Sequence, residues 1–337
     1  MGSVIPLKKS ANSAYLDLKN LMGKKLSNVE NLIEEKLQSE VGLIKKMSTH
    51  HLKSGGKRLR ALLTLGSAKL SGYELGERDI NLAACVELIH SATLLHDDVI
   101  DESKIRRGIK TTNSIWGNQS SILVGDYLLS RCFEIMVDDG DLEILKLLSS
   151  TSAKIAQGEV LQLQHRGEAD LLEETYINII GLKTASLFSA ATKTGACLAG
   201  SNKKEKNALE SYGKNLGLAF QIADDALDYY AKEKLFGKEI GKDFFEGKAT
   251  LPLIIIFQKG NDEERSFLLE ILKKEKRNED DFSETLALIN KYKAVEASLK
   301  RAEYFVNVSY DALGIFQDSE DKKILQNLTG FSLNRSF

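Results

Sequence analysis

The chain carries apolar and polar residues in the spacing of amphipathic helices over most of its length. Apolar side chains recur three and four residues apart, and helix-favouring Leu, Ile, Ala, Lys and Glu dominate these stretches. Only two prolines, Pro6 and Pro252, interrupt the pattern. It predicts an all-α protein with one or two helices in residues 1–50, further helices at about 81–100, 119–137, 142–164, 173–200 and 204–230, and several after Pro252.

The segments between these predicted helices are short. The breaks contain the glycine, aspartate and asparagine that end helices, and they are "DDGD", "HRGEAD", "LAGSNKK" and "KLFGKEIGKDFFEGKAT". None is long enough for a domain linker. The length of 337 residues alone favours about two domains. The number of domains therefore has to be inferred from where the candidate functional residues lie.

Composition narrows the class of function. The formal net charge is −2, and both signs are interspersed, which gives no basic footprint for nucleic acid. Cys85, Cys132 and Cys197 form no C-x-x-C pair, so neither a disulfide framework nor a zinc site is indicated. The N-terminus lacks a signal peptide's apolar segment, and the longest apolar run, Leu251–Phe257, is shorter than the about 20 residues that cross a bilayer. We expect a cytoplasmic protein without a transmembrane segment.

Two aspartate-rich elements occur in apolar surroundings. "LLHDDVID" carries Asp97, Asp98 and Asp101, and "QIADDALD" repeats the spacing with Asp224, Asp225 and Asp228. Residues four apart on a helix share a face, whereas Asp98 projects about 100° away from Asp97. Carboxylates in apolar surroundings need a compensating cation, and Mg²⁺ takes one or two carboxylates plus waters and substrate phosphates. One such element usually marks a solvated helix face, but two favour a cluster of Mg²⁺ ions around a diphosphate.

Cationic residues lie where a diphosphate site needs them. Arg106 and Arg107 follow the first element closely and project about 100° apart if helical. The stretch "GGKRLR" places Lys57 and Arg60 at the start of a helix, where backbone N–H groups favour anions. His90 precedes Asp97 by two helical turns, about 20° off the same face, and therefore points into the same cavity.

These motifs together resemble those of the trans-polyprenyl diphosphate synthases. "GGKRLR", "LLHDDVIDES" with "RRG", "KTASLF", "FQIADDALDY" and "GKDFFEGKATLPL" occur in that family's order over residues 40–330, while "IAQGEVLQL" and "HSATLLHDDVID" resemble its long-chain, octaprenyl-type branch. The resemblance implies one large helical bundle of the isoprenoid synthase type with a central apolar cavity. We therefore expect a single domain over residues 1–337, with residues 1–20 less ordered. Ala61 and Lys242 depart from the family, where many members have proline and aspartate.

The resemblance also implies a role for each matching residue. Metal would be bound by Asp97, Asp98, Asp101, Asp224, Asp225 and Asp228. Isopentenyl diphosphate would be held by Lys57, Arg60, His90 and Arg107. The allylic diphosphate would be held by Arg106, Lys183, Thr184, Gln221 and Lys238. Of these, the catalytic residues would be Asp97, Asp98, Asp101, Arg106, Lys183, Asp224 and Lys238.

The implied reaction is the Mg²⁺-dependent, head-to-tail condensation of an allylic diphosphate, such as farnesyl diphosphate, with successive isopentenyl diphosphates. Ala92 and Thr93 stand where shorter-chain relatives often carry bulky aromatic residues, and Thr93 lies one turn, about 6 Å, before Asp97. Without bulky aromatic residues at these two positions to block the growing chain, we expect a long, octaprenyl-like product, which in this branch serves quinone side chains. Family members are typically homodimers.

Four alternatives were weighed against this interpretation. They are a farnesyl or geranylgeranyl diphosphate synthase, a non-catalytic subunit of a heteromeric synthase, a class I terpene cyclase, and a di-iron carboxylate bundle. A cyclase requires a different second motif from "DDALD", and a di-iron bundle requires a second Glu-x-x-His element beside "ELIH". A non-catalytic subunit typically lacks one aspartate element, whereas both are intact here.

Overall fold

The computed structural model describes residues 11–74, 76–230 and 240–333. Helices make up most of this part of the chain. Up to residue 200 its elements are α1 (Ala11–Leu21), α2 (Gly23–Lys36), α3 (Gly42–Lys53), α4 (Leu59–Leu70), α5 (Arg78–Ile100), β1 (Ile105–Arg106), β2 (Ile109–Lys110), α6 (Thr112–Trp116), α7 (Asn118–Asp139), α8 (Leu142–Gln164), α9 (Glu173–Ile180), a π-helical turn (Gly181–Ala185) and α10 (Ser186–Leu198).

After residue 200 the helices are α11 (Lys203–Leu227), α12 (Lys242–Phe245), α13 (Leu251–Lys259), α14 (Asp262–Lys273), α15 (Glu279–Lys291), α16 (Ala294–Ala312) and α17 (Glu320–Leu328), with 3₁₀ turns at Leu313–Ile315 and Thr329–Ser332. The all-α prediction is confirmed. Side-chain caps define several boundaries: Asp141 accepts from two N–H groups of α8, and Asn202 forms a capping box with Glu205 at the start of α11.

Three details differ from the predicted helices. Residues 11–53 form three helices rather than one or two, since short non-helical breaks separate them. The predicted helix over 173–200 contains the π-helical turn, which adds a residue to the local hydrogen-bonded ring and was invisible in the apolar spacing. A two-stranded hairpin follows α5 where the sequence predicted only the end of a helix.

Two clusters of buried apolar side chains form the interior, and α11, which packs against α10, contributes to both. Leu209 and Leu216 of α11 belong to the first cluster, whereas Leu218 and Ile222 belong to the second. The two helices approach closely because α11 presents glycine at the crossing: a Cβ atom on Gly213 would lie 2.4 Å from the Phe188 carbonyl oxygen. Both clusters are therefore built on α11. Within the described residues, no helix is long and apolar enough to cross a membrane.

Candidate active site

The first aspartate element lies where α5 ends. Asp97 is in the last turn, and Asp101 is the first residue beyond the helix, with its N–H bonded to the Asp97 carbonyl at 2.8 Å. Burial, reinforced by the carboxylates of Glu159 and Asp101, raises the pKa of the Asp97 carboxyl to about 7, although Lys183 opposes the shift. The negative charge here is therefore under-compensated. Carboxylate oxygens in this state fit a hard divalent cation such as Mg²⁺.

Asp98 faces the hairpin that follows α5. Its side chain is 2% exposed, and its Oδ1 accepts from Nε of Arg106 at 2.9 Å and lies 2.8 Å from Nη2. This charge-assisted hydrogen bond and the ion pair at the same oxygen fix the orientation of the guanidinium group. Asp98 thus positions Arg106. Direct metal binding by Asp98 remains a prediction, and this geometry disfavours it.

The hairpin separates the two neighbouring arginines. Arg106 pairs with Ile109 in the ribbon, while Arg107 (φ 51°) and Gly108 (φ 77°) form the two-residue turn. Positive φ at both turn residues is typical of a type I′ turn. The helical geometry assumed for the arginine pair is wrong, because strand and turn backbone replaces the helix there. The two side chains nevertheless reach different partners.

Arg107 reaches residues 55–58, the glycine loop before α4. Its guanidinium donates to the Gly55 carbonyl, and a Cβ atom on Gly56 would lie 2.9 Å from its Nη1. Glycine at position 56 therefore leaves room for the arginine. This contact brings together "GGKRLR" and "RRG", which are 52 residues apart between Gly55 and Arg107.

Lys57, Arg60 and His90 gather beside the same loop. The Lys57 ammonium lies 4.6 Å from the ring centroid of Phe331, and the Arg60 guanidinium lies 4.5 Å from that of Phe188. Burial, followed by the charge of Arg60, holds the pKa of His90 well below its usual value. His90 is therefore neutral and offers a hydrogen bond rather than a charge.

Lys183 projects from the π-helical turn toward α8. Its Nζ lies 2.7 Å from Oε1 of Glu159 and 2.9 Å from Oε1 of Gln162. Close packing of the backbones makes this contact possible, because a Cβ atom on Gly158 would lie only 2.6 Å from the backbone nitrogen of Lys183. Glu159 was not among the predicted site residues. The available signal was its place in "IAQGEVLQL", which was used only to assign the branch.

The second aspartate element lies where α11 ends. Asp225 is buried; it accepts from the Tyr176 hydroxyl at 2.7 Å and from Nε2 of Gln221 at 2.7 Å, and burial raises its pKa to about 6. The Asp228 carboxylate accepts from the Asp243 N–H at 2.9 Å. Asp225 and Asp228 therefore hold neighbouring elements in place, whereas Asp224 is only half-buried. Metal binding by all three remains a prediction, which the geometry supports best for Asp224.

The predicted binding residues Thr184 and Gln221 contact each other. The Thr184 hydroxyl donates to Oε1 of Gln221 at 2.9 Å, and the amide of Gln221 donates to Asp225. These hydrogen bonds connect the π-helical turn to the second aspartate element, so both residues help to position the site. Lys238, the remaining predicted residue, lies outside the described residues.

Residues 240–248 connect the two aspartate elements. The Gly241 N–H donates to the Asp228 carbonyl at 2.9 Å, and Lys248 Nζ lies 3.2 Å from the Asp101 carboxylate and 2.6 Å from Glu246. Burial alone would lower the pKa of Lys248, but Asp101 and neighbouring carboxylates raise it above its usual value, so the group is a cation. Lys248 was not predicted, although it lies inside "GKDFFEGKATLPL".

Ala92 and Thr93 lie on α5 before the first aspartate element. Ala92 has no exposed surface and packs in the first apolar cluster. Thr93 is half-buried, and its hydroxyl donates to the His90 carbonyl at 2.8 Å. Both positions carry small side chains, as the product-length hypothesis requires.

Glu87 of "ELIH" has a structural role. Its carboxylate accepts from the Ala61 N–H at 3.0 Å and lies 3.9 Å from Arg58. In the ranges that the structure describes, no three or more histidine, cysteine, aspartate or glutamate side chains form a group that could hold a metal ion. Mg²⁺ usually takes one or two carboxylates and completes its coordination with waters and substrate phosphates, and Asp97 and Asp101 would supply that number of carboxylates.

Comparisons with known proteins point to one family. The sequence profile described as polyprenyl synthetase matches residues 41–289. The chain is 38% identical to octaprenyl diphosphate synthase of Escherichia coli K12, covering 94% of this chain and 98% of that protein. It is also 38% identical to an all-trans-nonaprenyl-diphosphate synthase (geranyl-diphosphate specific) of Rhodobacter capsulatus, covering 91% and 94%. A polyprenyl synthase of Caulobacter crescentus, solved with calcium and isoprenyl diphosphate, superposes with a TM-score of 0.91 at 40% identity and covers 95% of this chain and 98% of its own.

Proposed function

Because this chain belongs to the polyprenyl synthetase family and is a prenyltransferase, we propose that it joins an allylic diphosphate to successive isopentenyl diphosphates in a Mg²⁺-dependent reaction and releases a long all-trans polyprenyl diphosphate. One observation carries the proposal. Residues 240–248 connect the two aspartate elements, and Lys248 contacts Asp101 within that connection. The arrangement suits a diphosphate surrounded by carboxylate-bound metal and by cations.

The allylic diphosphate would lie between Asp97, Asp101 and Asp224, beside the cations Arg106, Lys183 and Lys248. Bound Mg²⁺ would stabilise negative charge on the leaving diphosphate. Arg106 is held by Asp98 and Lys183 by Glu159, so both cations are oriented before the substrate arrives. Preorganised charge of this kind acts without reorganisation during the reaction. We assign Lys238 to the same group.

Isopentenyl diphosphate would bind at the glycine loop. Lys57, Arg60 and Arg107 supply positive charge there, and neutral His90 supplies a hydrogen bond. The allylic C–O bond breaks and its electron pair leaves with the diphosphate. The double bond of isopentenyl diphosphate then attacks the allylic carbon, and a proton from the new adduct passes to the released diphosphate. Holding both substrates side by side supplies much of the rate.

We propose a long product of the octaprenyl class, with a starter such as farnesyl diphosphate and a role in quinone side chains. The small residues Ala92 and Thr93 support it, since the growing chain passes the face of α5 that carries Thr93. The relatives whose names specify octaprenyl and nonaprenyl products support it as well. The growing chain would occupy an apolar tunnel between the helices.

We also propose that the chain folds as a single domain and forms a homodimer. Buried residues of α11 contribute to both apolar clusters, which supports one domain. Helix α7 leaves Leu123, Phe133 and Val137 exposed by 67%, 51% and 66%, on one side of the helix. An apolar face of this kind is typical of a subunit interface, and light scattering would measure the mass.

A direct assay tests the proposed activity. Purified protein, Mg²⁺, labelled isopentenyl diphosphate and farnesyl diphosphate should give labelled long-chain alcohols after dephosphorylation and chromatography. Chelation of divalent metal should abolish turnover, and Asp97→Ala or Asp224→Ala should lower it by orders of magnitude while the helical circular dichroism is retained. Products that stop at farnesyl or geranylgeranyl diphosphate would favour the short-chain alternative. Absence of turnover with every starter would favour a non-catalytic subunit.

A further inference from the structure

Lys57 sits in a loop that cannot fix its own geometry. Residues 55–58 lie in no helix or strand, and Gly55 (φ 73°) and Arg58 (φ 48°) have left-handed backbone conformations. Such a loop lacks the regular hydrogen bonds of a helix or strand, so contacts from outside must position it. The Arg107 guanidinium is one such contact, through the Gly55 carbonyl.

The N-terminal helix supplies a second contact to this loop. The Tyr15 hydroxyl of α1 donates to the Lys57 carbonyl at 3.1 Å. Its ring stacks on Phe331, with centroids 5.6 Å apart and planes inclined by 25°. Tyr15 therefore connects the backbone of the lysine to the C-terminal 3₁₀ turn that contains Phe331.

The C-terminal turn supplies the contact to the lysine side chain. Phe331 is 2% exposed, so its ring is fixed by packing, and the Lys57 ammonium lies 4.6 Å from the ring centroid. A cation over an aromatic face is attracted by the ring quadrupole and loses part of its rotational freedom. One aromatic pair, contributed by the two ends of the described chain, thus contacts both the backbone and the side chain of Lys57.

We propose that Tyr15 and Phe331 are positioning residues for isopentenyl diphosphate, because together they orient the Lys57 ammonium. The proposal rests on the proposed function, in which Lys57 binds that substrate. Neither aromatic residue lies in a motif that marked the site in the sequence. If they act only through Lys57, their replacement should weaken isopentenyl diphosphate binding and leave the allylic substrate unaffected.

The test uses conservative variants of the full-length protein. Tyr15→Phe removes only the hydroxyl and keeps the stacked ring, and Phe331→Leu removes the aromatic face while remaining apolar. We expect each change to raise the KM for isopentenyl diphosphate, and its Kd measured by calorimetry, about three- to tenfold. The KM for farnesyl diphosphate and kcat should change less than about twofold. Tyr127→Phe is the matched control, since Tyr127 donates to the Gln38 carbonyl at the same distance of 3.1 Å.

A double-mutant cycle separates positioning from a structural role. Lys57→Gln keeps the carbonyl that Tyr15 contacts but leaves no ammonium to orient. In that background Tyr15→Phe should have almost no further effect on isopentenyl diphosphate affinity, because coupled residues are not additive. Equal effects in both backgrounds, or an unchanged Kd in Tyr15→Phe, would overturn the inference while wild-type turnover continued. Failure of the proposed function itself would give a different result: the wild-type protein would bind isopentenyl diphosphate but would not condense it with any allylic starter.

Discussion

Replacement of Asp98 by asparagine separates two roles that the sequence could not distinguish. Asparagine keeps an oxygen in the position that accepts from Nε of Arg106 at 2.9 Å, but it removes the charge that forms the ion pair with Nη2 at 2.8 Å. If Asp98 positions Arg106, the variant should bind metal normally and use the allylic diphosphate poorly. If Asp98 is itself a metal ligand, the concentration of Mg²⁺ that the enzyme requires should change first.

The expected magnitude follows from the hydrogen bond and the ion pair between Asp98 and Arg106. Hydrogen bonds to an ionised acceptor contribute about 1.5–3 kcal/mol each, against about 0.5–1.5 kcal/mol for neutral partners. Loss of the charge would weaken both contacts by about 2–3 kcal/mol in total, and the partial exposure of the Arg106 side chain, 25%, reduces this to about 1–2 kcal/mol by solvent screening. We expect kcat/KM for the allylic substrate to fall about tenfold.

The assay is a Mg²⁺ titration of initial rates at saturating substrates, with Asp97→Asn as the comparison. The half-saturating Mg²⁺ concentration of Asp98→Asn should stay within about twofold of wild type, whereas that of Asp97→Asn should rise strongly because the proposed metal ligand loses its negative charge. A similar rise in both variants would refute the positioning role of Asp98. Melting temperatures would confirm that both variants are folded.

Three further predictions concern product length, stability and pH. Thr93→Phe or Ala92→Tyr should shorten the products while the first condensation continues; an unchanged product distribution by chromatography would contradict the product-length hypothesis. Ala61→Pro should lower the unfolding free energy in urea by about 1–2 kcal/mol, because the lost N–H bond to buried Glu87 outweighs the smaller entropic gain from proline; equal or greater stability would contradict this. Burial, reinforced by Arg106, lowers the pKa of His51 to about 3, so the unfolded chain binds a proton that the folded chain does not. Stability that is complete above about pH 6.5 is therefore lost as the pH falls toward 3, at up to about 1.4 kcal/mol per pH unit; His51→Gln should flatten the melting temperature between pH 6.5 and 4.5, and an unchanged slope would count against it.

The helices could be predicted because their apolar spacing and their caps are local. The predicted range 142–164 coincides with α8, whose start is capped by Asp141. The π-helical turn and the hairpin could not be predicted in the same way. The π turn depends on the packing of Lys183 against Gly158, and the hairpin is only two residues per strand. Both are irregularities set by tertiary contacts, which leave no period in the sequence.

The motifs predicted which segments come together, but the role of each residue depends on the direction in which its side chain points. Asp97 and Asp98 are adjacent in sequence, yet one lies beside Asp101 and Glu159 while the other is bonded to Arg106. Asp225 has the same residue type as Asp224 and is bonded to Tyr176 and Gln221. A motif does not specify the partner of each carboxylate. Lys248 and Glu159 were missed for the same reason, since their roles follow from contacts between segments that are distant in the sequence.

The ion pairs at the candidate site give a physical reason for metal and allylic diphosphate to bind together. Lys183 is paired with Glu159, Lys248 with Asp101, and Arg106 with Asp98. A diphosphate alone would compete with carboxylates for Lys183 and Lys248 and would leave Asp101 and Glu159 without a cation. A diphosphate that arrives with divalent metal supplies a cation to Asp101 and Asp97 while it takes the lysines. Each ligand therefore removes the electrostatic cost of the other, and linkage requires the effect to be reciprocal.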